Sequence, residues 1–346
     1  MSMAVGTSVM ATMKDAPGQA QRLEALGFDS VSIGETTRIP FLPLALVAEH
    51  TERLKFSSLA IAFPRAPYIL ANTAWDLSEY SGGRFVLGIG TQVKGHNERR
   101  FSVPWHPPGP HIRDYVRCMR AIWDCWQNGT KPDYEGEFYQ FKLTNPLFTP
   151  QPIEHPDIPV VLAAVNPFNA RLAGEVCDGI AIHGFSTFKY IREVLIPAVH
   201  EGARRAGKNP QDLQIRGGGF IVTGRNEEEL EREKAVAKRR ISFYGSTRSY
   251  ANVMKTHGWD DEAALLHRLS VQGDQWDEMA EVITDEMLDE FAVIGTWDEL
   301  ASRMREKYAG INTQISFSAD PRNPDEEAQI KEIIADMQTI PTVGEV

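Results

Sequence analysis

Short apolar runs alternate with amphipathic helical patterns along the whole chain, and that rhythm leaves few folds open. Residues 4–10, 30–35, 56–63, 84–91, 159–165, 179–185, 213–223 and 313–318 read as strands. Between them, residues 17–26, 43–53 and 111–127 read as helices; in the last, Ile112, Tyr115, Met119, Ile122, Trp123 and Trp126 fall on one stripe. A strand followed by a crossover helix must return parallel to its predecessor, so the alternation predicts a parallel sheet. Eight such strands close into an α/β fold of the TIM type, a (β/α)8 barrel. A chain of 346 residues, 42% of them hydrophobic, is long enough to fill one as a single domain over residues 1–346.

Two stretches break the rhythm. Residues 130–158 carry a hairpin pattern at Tyr134-Glu135-Gly136-Glu137-Phe138-Tyr139, then a loop containing Pro146, Pro150, Pro152 and Pro156. Residues 226–295 are far longer than one crossover requires. Helical patterns at 227–240, 263–269 and 276–283 predict a helical insertion between strands seven and eight.

The fourth strand is the most unusual. In Ser81-Gly82-Gly83-Arg84-Phe85-Val86-Leu87-Gly88-Ile89-Gly90-Thr91, bulky Phe85, Leu87 and Ile89 alternate with Val86, Gly88 and Gly90. One face is therefore bare towards the strand's C-terminal end. Glycine weakens a strand, so two on one face mark either tight packing between barrel layers or the close approach of a ligand. Gly82 and Gly83 suit a tight turn with positive φ out of the helical pattern at 68–80.

A net charge of −11 argues against nucleic acid or an anionic membrane as a general partner. The first thirteen residues are too polar for a signal peptide and no apolar run reaches membrane-spanning length, so a cytoplasmic location is expected. Cys118 and Cys125 lie two helical turns apart and, with Cys177, read as buried free thiols. The nine histidines do not pair with acids at several strand ends, so no metal site is expected.

The Ser81 to Gly90 motif, Pro104-Trp105, Leu162-Ala163-Ala164 and Leu172-Ala173-Gly174-Glu175-Val176-Cys177-Asp178-Gly179 together resemble the bacterial luciferase-like flavin oxidoreductase superfamily, over nearly the whole chain. Thr73-Ala74-Trp75-Asp76-Leu77, Arg99-Arg100-Phe101 and Ala121-Ile122-Trp123-Asp124-Cys125-Trp126 are similar to its branch that uses the deazaflavin coenzyme F420. The resemblance implies a deazaflavin ring across the barrel's C-terminal mouth. It also implies hydride transfer between C5 of that ring and a carbonyl, an alcohol or an activated double bond of a small-molecule substrate. FMN with a separate reductase is the alternative cofactor, and a cofactor-binding relative without catalysis is a third reading. A homodimer is the expected assembly. Family members often carry a cis peptide on strand three; the matching bond here is Ala60-Ile61, with a plain trans strand as the alternative.

Sites in such barrels lie just past the strand ends. After strand two comes Arg38-Ile39, where the resemblance implies a His-Asp pair; Arg38 cannot act as an acid at neutral pH but can stabilise an anionic ring or a substrate carboxylate. After strand four, Gly90 leaves a bare face for the ring, Thr91 supplies a donor and acceptor, Gln92 and Asn97 suit the ring's amide edge, and His96 or Glu98 is the candidate proton donor. After strand five, Ala163-Ala164-Val165-Asn166 enters a helix start suited to phosphate, with Arg65 and Lys94 as further basic candidates. His183 marks the end of strand six, while Ser8, Val9 and Met10 would form a floor.

Overall fold

A computed structural model describes residues 2–273 and 275–343. Eight parallel strands close into a barrel: β1 (Ala4–Val9), β2 (Ser30–Gly34), β3 (Lys55–Ile61), β4 (Phe85–Gly90), β7 (Val160–Ala164), β8 (Gly179–Ile182), β9 (Gln214–Gly217) and β12 (Gln314–Ser316). Two further pairs stand outside it, β5 (Tyr134–Glu135) with β6 (Gln140–Phe141) and β10 (Phe220–Gly224) with β11 (Ala292–Thr296). Around the barrel, β12 joins β9 to β1, so the ring closes without β10 or β11.

Alternation along each strand sets the two faces of the wall. Phe56, Phe85, Leu87, Leu162, Ile180, Ile215 and Ile315 are sequestered completely beneath the surrounding helices. The other face turns to the lumen. There a Cβ added at Gly6 would press on Ser30 and come within 2.8 Å of the Gln314 amide, and one at Gly90 would lie 3.7 Å from the Ala163 methyl.

Helix ends follow from local chemistry. The Pro67–Ser81 helix starts with proline in its first turn, where no N–H is needed, and stops at Gly82 with φ 62°. Gly83 follows at φ 81°, and Arg84 then donates to the carbonyls of Ser81, Leu54 and Ala48 and to the Thr51 hydroxyl, tying three segments together. The Pro108–Asn128 helix buries the whole predicted apolar stripe and ends at Gly129, φ 66°. Its Asp114 carboxylate accepts from the Phe138 and Tyr139 amides and the Tyr134 hydroxyl, pinning the β5–β6 hairpin to the helix.

Strand seven departs from the sequence reading. Residues 213–223 are not one strand, because Gly217, Gly218 and Gly219 all take positive φ (70°, 90° and 73°) and turn the chain out of the barrel. The Tyr308 hydroxyl and the Asn312 amide donate to the carbonyls of Gly218 and Gly217 and hold that exit. The outgoing half, β10, pairs in parallel with β11, so the segment 226–295 is not purely helical. Its helices include Glu227–Gly245, Asp260–Gln272, Trp276–Glu281 and Asp285–Phe291. Among the described residues no helix is long and apolar enough to cross a membrane.

Candidate active site

The lumen opens to solvent at the C-terminal end. Barrel interiors of this type are normally filled by side chains. Here Leu59, an inward residue of β3, remains 40% exposed, and Ser8 of β1 is exposed as well. A Cβ at Gly34, in register with Leu59, would meet nothing within 4 Å. Gly88 is different, because its Cβ would collide with the Ser58 carbonyl. The two glycines of β4 thus serve different ends, Gly88 for strand packing and Gly90 beside open space.

The β2–β3 edge is rigidly cross-linked. Glu35, just past β2, accepts from the Ile61 amide at 2.8 Å and from both terminal nitrogens of Arg65 at 2.7 and 2.9 Å. Arg65 also donates to the Ile61 carbonyl and lies over the Phe41 ring, so it is committed to the wall rather than free to grip a phosphate. The Ala60–Ile61 peptide is trans, as are all described peptide bonds, so the plain trans strand and not the family's cis peptide is found there. Ile61 faces the lumen in register with Gly90, whereas Ala60 faces the helices.

Beyond β4, Gln92 has φ 53° and its side-chain oxygen accepts from the Val93 amide. Asn97 is buried; its amide nitrogen donates to the Thr91 carbonyl at 3.0 Å and to that of Val93, while its Oδ1 has no partner among the described residues. An orphaned buried acceptor carries a desolvation cost that an N–H of a ligand would remove. His96 and Glu98 flank Asn97 on the short Lys94–Arg99 helix but face solvent, Glu98 within 3.8 Å of the Lys94 ammonium. Arg38 is exposed on the loop before the Phe41–His50 helix.

On the opposite side, Ala163 and Val165 face the lumen while Ala164 faces the helices. Asn166 caps the Pro167–Val176 helix by accepting from the Asn169 amide at 2.8 Å. His183 Nδ1 accepts from the Phe185 amide at 3.0 Å, which leaves the proton of the neutral ring on Nε2. Burial, aided by nearby Arg240, lowers its pKa to about 4, so the ring is neutral at physiological pH. Tyr244 and Tyr250 from the insertion pack against it with centroids at 4.7 and 5.2 Å, forming a wall over this edge.

Arg216 belongs to the same edge and escaped the sequence reading. It lies on the inner face of β9, in register with Ala181 of β8 and Gln314 of β12. The signal was present, since Gln214 and Arg216 are polar at alternate positions within an otherwise apolar run.

The luciferase-like monooxygenase family model matches residues 2–313. The chain belongs to this family. An uncharacterized protein of Mycobacterium tuberculosis is 42% identical over 297 residues, covering 86% of this chain and 87% of that protein. A 5,10-methylenetetrahydromethanopterin reductase of Archaeoglobus fulgidus is 28% identical over 324 residues, covering 90% and 92%. Among solved structures, the coenzyme F420 dependent tetrahydromethanopterin reductase from Methanopyrus kandleri superposes with a TM-score of 0.77 at 21% identity, over 98% of this chain and 99% of that one. This family of oxidoreductases makes the chain an enzyme of that class with a TIM-barrel fold.

Proposed function

We propose that the chain is a coenzyme F420-dependent oxidoreductase that moves a hydride between C5 of the deazaflavin and a small organic substrate. The observation that carries this reading is the open lumen end, where Gly34 and Gly90 leave bare wall, together with the unpartnered, buried Asn97 Oδ1 just past β4. A flat ring with an amide edge suits that combination. The solved relative of the same architecture that depends on F420 supports the choice of cofactor.

Bound there, the deazaflavin supplies the hydride chemistry. The chain's own residues hold and shield it. Asn97 Oδ1 accepts from a ring N–H, and Gly90 and Ala163 keep the wall flat. The Ala163 to Asn166 turn lies at the start of a helix, whose positive dipole end favours phosphate. Arg38 supplies positive charge at the rim, and His96 or Glu98 exchanges a proton with solvent.

Fluorescence titration of the purified protein is the test. F420 should bind at least about tenfold more tightly than FMN, a difference of roughly 1.4 kcal/mol. Gly90→Val should abolish that binding while the barrel still unfolds cooperatively, because the added methyls enter open space. Equal or reversed affinities would overturn the cofactor assignment, and joint loss of folding and binding would return Gly90 to packing.

A further inference from the structure

Arg216 has no hydrogen bond and no ion pair among the described residues, although it sits inside the barrel. Burial alone lowers the guanidinium to about 10, with no acid opposing the shift. It is therefore still charged at neutral pH. A half-buried cation without a counter-ion is unfavourable and is retained where something else completes it. Nothing in the chain can do so from the neighbouring inward positions, which are Ala181 on one side and the neutral Gln314 on the other.

The surroundings are unfilled as well as uncharged. Across β7 and β4 the inward positions are the small Ala163 and Gly90, where an added Cβ at Gly90 would lie 3.7 Å from the Ala163 methyl. Two more polar atoms of the same lumen, Gln214 Oε1 and Ser30 Oγ, are buried without partners. The triple-glycine turn directly after Arg216 is fixed by Tyr308 and Asn312, so β9 presents this side chain from a braced strand end.

We propose that Arg216 anchors the carboxylate of a small anionic substrate inside the barrel lumen. The planar guanidinium offers paired N–H donors that match a carboxylate's two oxygens, and a low-dielectric lumen strengthens that pairing. Arg65 cannot compete for the ligand, since Glu35 already holds it. The proposal rests on the oxidoreductase reading, and it narrows the substrate class to compounds bearing a carboxylate a few atoms from the reacting carbon.

Calorimetric titration with butyrate and with butyramide, in the presence and absence of F420, separates the two claims. The parent should bind butyrate at least tenfold more tightly than the isosteric amide. Arg216→Met should erase that preference, leave F420 affinity within twofold of the parent, and raise the melting temperature of the ligand-free protein, because an unpaired, half-buried charge is gone. Should Arg216→Met not fold, Arg216→Lys provides the same comparison, with the preference reduced rather than erased. A parent that does not discriminate, a variant that still does, a variant that melts lower, or one that loses F420 binding would overturn the anchor. Butyrate preference in a protein that ignores F420 would instead leave the anchor standing and sink the hydride-transfer reading.

Discussion

At the β2–β3 edge of the mouth the Arg65 guanidinium is held by both oxygens of Glu35, while at the β8–β9 edge Arg216 faces the lumen with no acid beside it. Both are arginines near the open end of one barrel. The first pair is nearly dry, with Glu35 6% and Arg65 16% exposed at the side chain, and its charges cancel within the wall. Such an edge can only be scaffold. The second edge gathers an uncancelled cation, a desolvated histidine and an unpartnered acceptor, Ser186 Oγ. Polar groups that a chain leaves incomplete mark where a ligand completes them.

The sharpest way to break this contrast is Glu35→Ala. It strands the Arg65 charge and the Ile61 amide, and should cost about 3 kcal/mol in denaturant unfolding. A midpoint equal to the parent's would mean that the β2–β3 edge is no better braced than its counterpart. Next in size is the pair of strand-four glycines. Gly88→Ala forces a methyl against the Ser58 carbonyl and should destabilise by about 2 kcal/mol, whereas Gly90→Ala should stay within roughly 0.5 kcal/mol. Equal losses would erase the distinction between packed and open wall.

The smallest effect concerns protons. His183 is lowered to about 4 chiefly by burial, and so is His111, packed against Phe63 with nearby His106 adding to the shift. Both folded values lie below the unfolded value near 6.5, so the unfolded chain binds more protons between the two. Stability is therefore complete above about pH 6.5 and falls as pH drops towards 4. His183→Asn should make that fall shallower across the window, read from unfolding midpoints at several pH values. An unchanged slope would show that His183 is hydrated and charges freely.

What the sequence made legible follows the same division. The Ser-Gly-Gly-Arg motif carries the family resemblance, yet it lies at the start of β4, far from the mouth, where Gly82 and Gly83 turn left-handed and Arg84 gathers carbonyls. Backbone demands of that kind are written directly into residue type. The eight barrel strands were legible for a related reason, since a period of two survives any tertiary context. Where strand seven ends was not, because the apolar pattern of residues 213–223 runs on through three glycines, and only the structure shows that they turn the chain outwards. The strand Ala292–Thr296 was missed because its five residues follow directly on a helix. Asn97 was picked out by its position after strand four, but that one of its amide atoms is used and the other left bare depends on the fold of the loop.

The outgoing strand has a consequence for how such a protein can change. Since β10 and β11 hydrogen-bond to each other over residues 220–224 and 292–296, the barrel's own ladders close without them. The stretch between behaves as a cassette clipped onto a finished cylinder. It nonetheless contributes Tyr244 and Tyr250 to the wall above His183. Lengthening, shortening or exchanging that cassette would reshape one side of the entrance while the cylinder keeps its circumference, so novelty at the doorway need not endanger the building.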